Sequence, residues 1–253
     1  RGKPGQKVVF RHAEVLVSGE LFVQSLRTAK ATATYICKEG DQEYSPRLTY
    51  MGFRYVGVRG IDPGELDLKA FVLHSDFEEI GDFACSNELI NRLHSNIRWS
   101  GKSNFVDIPT DCPQRDERQG WTGDIAVFAR TACYLFDLGR FLDKWLRDMR
   151  AEQGPGGGIP MVVPRGGDAW PVMATSVWGD SCVLVPWAEY LARGDLELLR
   201  QQYPAIRKFL KAAKWWCGFL SFTPNGRYIW RFPFHFGDWC APGETVRQWM
   251  RKG

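Results

Sequence analysis

A chain of 253 residues with 44% apolar and 25% charged side chains can bury a substantial core, as one large domain or two smaller ones. Its 33 Lys and Arg against 29 Asp and Glu leave a scattered net charge of +4, which gives nucleic acid or a membrane surface no electrostatic footing. No stretch approaches ~18 consecutive apolar residues, so no transmembrane span is expected, and no leader segment is read.

Residues 1–80 read as β. KVVFRHAEVLV (7–17) alternates apolar and polar side chains. TATYIC (32–37), FRYVGVRG (53–60) and LDLKAFVLH (66–74) follow, enriched in β-branched and aromatic residues. Turn signals separate them at Ser18-Gly19, Glu39-Gly40-Asp41 and Asp62-Pro63-Gly64. Short strands at this spacing predict an antiparallel sandwich, thin and incomplete.

The period changes near residue 85. SNELINRLHSNIRWS places Leu89, Ile90, Leu93 and Ile97 on one helical face, with Ser86 as the expected cap and Glu88 in the first turn. GDIAVFARTACYLFDL (123–138) is apolar almost all round, as a buried helix would be, with Thr122 as its expected cap. The next helix, 139–154, aligns Phe141, Leu142, Trp145, Leu146 and Met149 and stops at GPGGG. Residues 175–195 form a further apolar helix that Pro186 is expected to kink. One or two more helices follow over 195–220. Pro204 suits the first turn of the second piece, and Arg207, Lys208, Lys211 and Lys214 form a solvated stripe. Asn225-Gly226 reads as the turn of a hairpin or an extended loop. Strands first and helices afterwards exclude a βαβ dinucleotide fold, and neither GxGxxG nor GxxxxGK[ST] occurs.

Chemistry concentrates in DIPTDCPQRDERQGWTGD (107–124). Asp107, Asp111, Asp116, Glu117 and Asp124 share this stretch with Arg115, Arg118 and Trp121. Neighbouring carboxylates raise a carboxyl pKa and arginines lower it, so such a cluster can keep one acid protonated and the others ionised. Glycoside hydrolysis needs that separation of roles. A charged loop closed by salt bridges is the structural alternative. The chain also carries 14% aromatic residues, including 11 Trp, whose flat faces suit sugar C–H surfaces as well as cores.

DCPQRDERQGWTGD (111–124) resembles the signature of the bacterial α-L-rhamnosidases, glycoside hydrolase family 78. RHAEVL (11–16), YMGFRYVGVRG (50–60), CSNELINRLHSNIRWS (85–100), GIPMVVP (158–164), VWGD (177–180) and FGDW (236–239) are similar to successive family blocks in the same order. The resemblance implies an antiparallel β-sandwich over 1–80. The first part of an (α/α)6 six-hairpin barrel follows over 81–253, truncated before its second half. It implies Glu117 as general acid. Asp111, Arg115 and Asp124 would hold rhamnose hydroxyls, and Trp121, Trp178 and Trp239 would wall the same subsite. Asp180 and Asp238 are candidates at its rim, with helix capping or loop salt bridges as their alternative. The family inverts, which requires a base about 6.5–9.5 Å from the acid. That base is expected downstream of this chain, and Glu244 lies too early to be it. Gln119 stands where the family often has an aliphatic residue, a departure expected to matter little.

Hydrolysis of terminal rhamnose from glycosides or polysaccharides is therefore the expected activity. The alternative is a catalytically incomplete piece that binds rhamnose weakly. Half a barrel would expose the inner faces of helices such as 125–136 and favour self-association. No cofactor is implied. His12, His74, His94 and His235 are dispersed without HxxxH spacing, so no metal is implied either. Cys37, Cys85, Cys112, Cys133, Cys182, Cys217 and Cys240 form no CxxC pair and read as buried free thiols, which favours the cytoplasm.

Overall fold

The structure, a computed structural model, describes residues 2–166, 172–219 and 226–230. The chain divides into two compact units: Arg1–Asp76 with Phe83–Gln119, and Phe77–Asp82 with Gly120–Gly253.

In the first unit β1 (Lys7–Ala13) is the middle strand of an antiparallel sheet, between β4 (Thr32–Ile36) and β5 (Tyr55–Arg59). Val9 faces Thr34 on one side and Arg59 on the other. The run expected as one strand over 7–17 breaks at Glu14. Beyond it β2 (Val15–Val17) pairs with β3 (Glu20–Phe22). Ser18 and Gly19 have φ of 51° and 81°, the left-handed geometry that a two-residue hairpin loop requires. Leu21 of this hairpin lies against Gly57 in β5, where an added Cβ would meet its Cδ1 at 2.9 Å. Of the expected sandwich, then, the described residues show a three-stranded sheet and a hairpin laid over it. Segment 66–74 belongs to no strand. Leu68, Phe71, Val72 and Leu73 are exposed, so its apolar pattern finds no sheet to lie on among the described residues.

Helix α1 (Glu88–Asn104) is capped by Asn87 rather than Ser86. Asn87 Oδ1 accepts from Leu89 N at 3.0 Å and Ile90 N at 3.4 Å. The helix starts one residue later than expected because this amide reaches two of its orphan N–H groups. The apolar face of Leu89, Ile90, Leu93 and Ile97 is largely open, with Leu89 82% exposed, Ile90 and Leu93 also exposed and Ile97 half-buried. The helix is held at its ends instead. Asn91 exchanges two hydrogen bonds with Cys85, at 2.9 and 2.8 Å. Asn104 O accepts from both Thr110 N and Thr110 Oγ1 at 2.9 Å.

The second unit contains α2 (Thr122–Leu135), α3 (Gly139–Glu152), α4 (Ser181–Arg193) and α5 (Leu196–Phe219). Helix α4 packs on α2, α3 and α5. The predicted face of α3, from Phe141 to Met149, is wholly buried. Helix α2 is buried on one side only. Ile125, Ala129, Ala132 and Cys133 are inside, while Val127 and Tyr134 face out, as do Leu184, Trp187 and Leu191 of α4. Thr122 is not a cap. It is fully buried inside the first turn, and its hydroxyl donates to Met161 O at 3.0 Å. Glu189 of α4 is buried between Cys133, whose thiol donates at 3.5 Å, and Arg193 Nε at 3.2 Å. Burial pushes the Glu189 carboxyl up, and burial with the nearby Glu189 charge pushes the Cys133 thiol up to about 12.

Helix α5 runs unbroken for 24 residues through Pro204. Its buried row of Leu198, Gln202, Ala205, Phe209 and Ala212 outweighs the ~3 kcal/mol that an internal proline costs. Arg207, Lys208, Lys211 and Lys214 are exposed as expected. Where a hairpin or an extended loop was expected, Gly226–Tyr228 form a 3-10 turn, and the flanks 221–225 and 231–236 lie outside the described residues. Cys37, Cys112, Cys133 and Cys182 are buried free thiols, Cys85 and Cys217 are half-buried, and Cys240 lies outside the described residues. Among the described residues no helix is long and apolar enough to cross a membrane.

Candidate active site

The acidic stretch begins where α1 ends. The two bonds from Thr110 to Asn104 O fix the start of the loop. Just before them, β6 (Phe105–Val106) and β7 (Ile108–Pro109) fold back around Asp107, whose φ is 66°. From Asp111 onward the loop closes on itself. Asp111 N donates to Gln119 O at 3.0 Å, and Gln119 N donates to Asp111 Oδ1 at 2.8 Å.

Inside this clasp Arg115 spans both carboxylates. Its Nη2 lies 3.2 Å from Asp111 Oδ2 and 3.0 Å from Glu117 Oε2, and its Nε donates to the same Glu117 oxygen at 3.1 Å. Burial raises the Asp111 carboxyl above its ordinary range. The backbone bond from Gln119 opposes that rise, and the neighbouring Glu117 charge adds to it. Cys112 is buried beneath, its thiol also pushed up by burial, and accepts from Arg118 N at 3.4 Å. Ligand atoms of Asp111, Cys112 and Glu117 lie within 4.8 Å of one another. That spacing suits a cation, but Arg115 already supplies the positive charge there. It is also tighter than the ~6.5–9.5 Å of an inverting acid–base pair, so Asp111 does not qualify as the base.

Two segments remote in sequence brace the loop. Arg118 Nη1 donates to Tyr50 O at 3.1 Å, and its guanidinium lies 5.0 Å from the Tyr50 ring centroid. Gly52 is pressed on Pro113, whose carbonyl oxygen would stand 2.6 Å from an added Cβ. Thr28 donates to Asp116 from both its backbone N–H and its hydroxyl. Arg27 Nη1 lies 2.8 Å from Glu117 Oε2. Sequence reading did not single out Arg27, Thr28, Tyr50 or Gly52 as site residues. The YMGF block around Gly52 was the one available signal, and nothing marks RT at 27–28.

The remaining residues belong to the second unit. Trp121 is half-buried at the N-cap of α2 and bridges to Val162, and Asp124 is exposed in the first helical turn. Trp178 is 9% exposed. Its indole lies on Gly123, where an added Cβ would meet Cε2 and Nε1 at 2.8 Å. Asp180 Oδ2 accepts from Val177 N at 2.9 Å and closes the turn that leads into α4. Trp239, Asp238 and Glu244 lie outside the described residues. The structure thus gathers Asp111, Arg115 and Glu117 in one unit, and Trp121, Asp124 and Trp178 around the start of α2 in the other.

The Gly123 contact makes a prediction. Alanine in a helix gains about 0.5–1 kcal/mol over glycine. Overpacking costs about 1–3 kcal/mol, so the collision with Trp178 should win. G123A should therefore lower the thermal midpoint and change the near-UV circular dichroism. A variant that melts higher with an unchanged spectrum would remove Trp178 from this position.

A family model described as the bacterial alpha-L-rhamnosidase 6 hairpin glycosidase domain matches residues 78–251, and one described as the concanavalin-like domain of the same enzymes matches residues 1–74. An alpha-L-rhamnosidase of Streptomyces avermitilis is 43% identical over 214 residues, 83% of this chain and 21% of that protein. One from an Alteromonas species is 37% identical over 245 residues, 95% of this chain and 25% of that protein. Among solved structures, the alpha-L-rhamnosidase of Dictyoglumus thermophilum superposes with a TM-score of 0.86 at 39% identity, over 96% of this chain and 27% of that one. The Aspergillus terreus enzyme gives 0.85 at 43% identity, over 97% and 28%. The S. avermitilis enzyme, solved in complex with L-rhamnose, gives 0.77 at 42% identity, over 83% and 21%. The chain spans about a fifth to a quarter of the length of the curated relatives it matches.

Proposed function

The chain belongs to the bacterial α-L-rhamnosidase family, and on that premise we propose that it serves the hydrolysis of terminal α-L-rhamnose from glycosides or polysaccharides by inversion. The observation that carries this reading is the Arg115 bridge between the Asp111 and Glu117 carboxylates. It sets Asp111, raised by burial, apart from Glu117, whose ion pairs with Arg115 and Arg27 the incoming glycoside must loosen before Glu117 carries a proton.

Glu117 is assigned the general acid. It delivers its proton to the glycosidic oxygen as the bond from that oxygen to the anomeric carbon breaks. Water attacks the anomeric carbon from the opposite face and yields its proton to a base. That base is sought in the remaining length of the family, of which this chain spans a fifth to a quarter. Asp111, Arg115 and Asp124 are assigned to the rhamnose hydroxyls. Trp121 supplies an apolar wall, Trp178 supports it from behind Gly123, and Trp239 is assigned to the same subsite.

Hydrolysis of 4-nitrophenyl α-L-rhamnopyranoside followed by proton NMR tests the reading. β-L-Rhamnose as the first product is expected. The α anomer would instead make the closely spaced Asp111 a nucleophile. Heat of L-rhamnose binding without turnover would favour the rhamnose-binding alternative.

A further inference from the structure

Glu117 is addressed by two guanidinium groups of different origin. Arg115 comes from its own loop, but Arg115 is shared with Asp111. Arg27 comes from the segment that matches the concanavalin-like domain, 90 positions earlier in the chain, and its Nη1 lies 2.8 Å from the same oxygen, Oε2. A lone surface ion pair of this kind would carry little weight, since Arg27 is 56% exposed. Three further observations make it more than that.

Thr28 bonds Asp116 through both its N–H and its hydroxyl, so the pair Arg27–Thr28 grips the pair Asp116–Glu117 residue by residue. The hydroxyl bond holds the Asp116 carboxyl below its ordinary range. Leu26, immediately before the grip, is 1% exposed and anchors the 3-10 turn Gln24–Leu26 in the core. Arg27 itself has φ 54° and ψ −116°, a conformation that L residues rarely adopt, closed by its N–H on Gln24 O. Its backbone is thus held in an unfavourable shape by the same turn that aims its side chain at Glu117.

We propose that Arg27 is a positioning residue for Glu117, so that the β segment, and not the six-hairpin segment alone, sets the orientation of the acid. The proposal rests on the reading of Glu117 as the acid. Its physical content is that a cation from the β segment acts directly on this carboxylate. The charged or titratable groups around Glu117 include Arg115, Asp111, Cys112 and Asp116 of its own loop, and from the β segment Glu14, which lies close enough to Arg115 to feel its charge.

The test follows the side-chain carboxyl carbon of Glu117 by NMR against pH in the full chain, with E117Q identifying its signal. In R27A the titration midpoint of Glu117 should rise by about half a pH unit or more, because a cation is removed from the ionised form. R27K keeps the charge and should return the midpoint most of the way. Added salt should shrink the difference, since Arg27 is largely exposed. Coincident titrations of wild type and R27A would overturn the proposal, and R27Q gives the same readout if R27A does not fold. The measurement needs no turnover, so it is decided separately from whether Glu117 is the acid.

Discussion

With Glu117 as the proposed acid, its replacement by glutamine should lower hydrolysis of rhamnosides with unactivated leaving groups by about 10²–10⁴-fold, the usual worth of a positioned acid. Gln retains the shape of the side chain and an oxygen that can accept from Arg115 and Arg27, so the loop should keep its form. L-Rhamnose affinity, read by calorimetry, should stay within a few-fold. The loss should be smaller with 4-nitrophenyl rhamnoside, because nitrophenolate departs with little help from a proton. A uniform loss across leaving groups would point to damaged binding rather than missing acid catalysis. Activity on unactivated substrates within ten-fold of wild type would remove Glu117 from the acid role.

The second large effect is expected at Trp145. It is fully buried on α3, and its indole Nε1 donates to Val163 O at 2.9 Å. W145A should cost about 3–5 kcal/mol for the emptied volume. That is a large part of the ~5–15 kcal/mol that holds a typical domain folded. W145F separates the two contributions. It keeps most of the ring and strands a buried carbonyl, at about 1–3 kcal/mol. Denaturant midpoints would measure both. The effect should spread, because Val163 N donates to Gly120 O at 2.9 Å and Met161 O accepts from Thr122 N at 2.8 Å. Those bonds seat the beginning of α2, which carries Trp121 and Asp124. A W145A chain that denatures like wild type would show that α3 does not support this segment.

The helical half of the fold was legible because its signal is local. The row from Phe141 to Met149 repeats at helical spacing, and all of it is buried. The errors came where a tertiary partner decides. Nothing in SNEL tells Asn87 from Ser86 as cap, because both side chains can accept from the first turn. Thr122 looks like a cap until Met161 claims its hydroxyl. Pro204 reads as a helix start until a buried row carries the helix through it. Segment 66–74 has strand composition, but a strand exists only when something pairs with it. At the site, Asp111, Arg115 and Glu117 were readable because they lie within seven positions. Arg27 and Thr28 were not, since an arginine in a turn looks the same whether it faces water or a carboxylate far along the chain.

The clasp that closes the acid loop has an evolutionary consequence. At position 111 the clasp uses a side-chain oxygen, whereas at position 119 it uses only main-chain N–H and C=O. Selection on the clasp therefore sees the chemistry of residue 111 and is nearly blind to that of residue 119. The exception is proline, which lacks the N–H that meets Asp111. Alanine at 111 and proline at 119 would remove the same bond from opposite ends, leaving the clasp with the single main-chain bond from residue 111 to the carbonyl of residue 119.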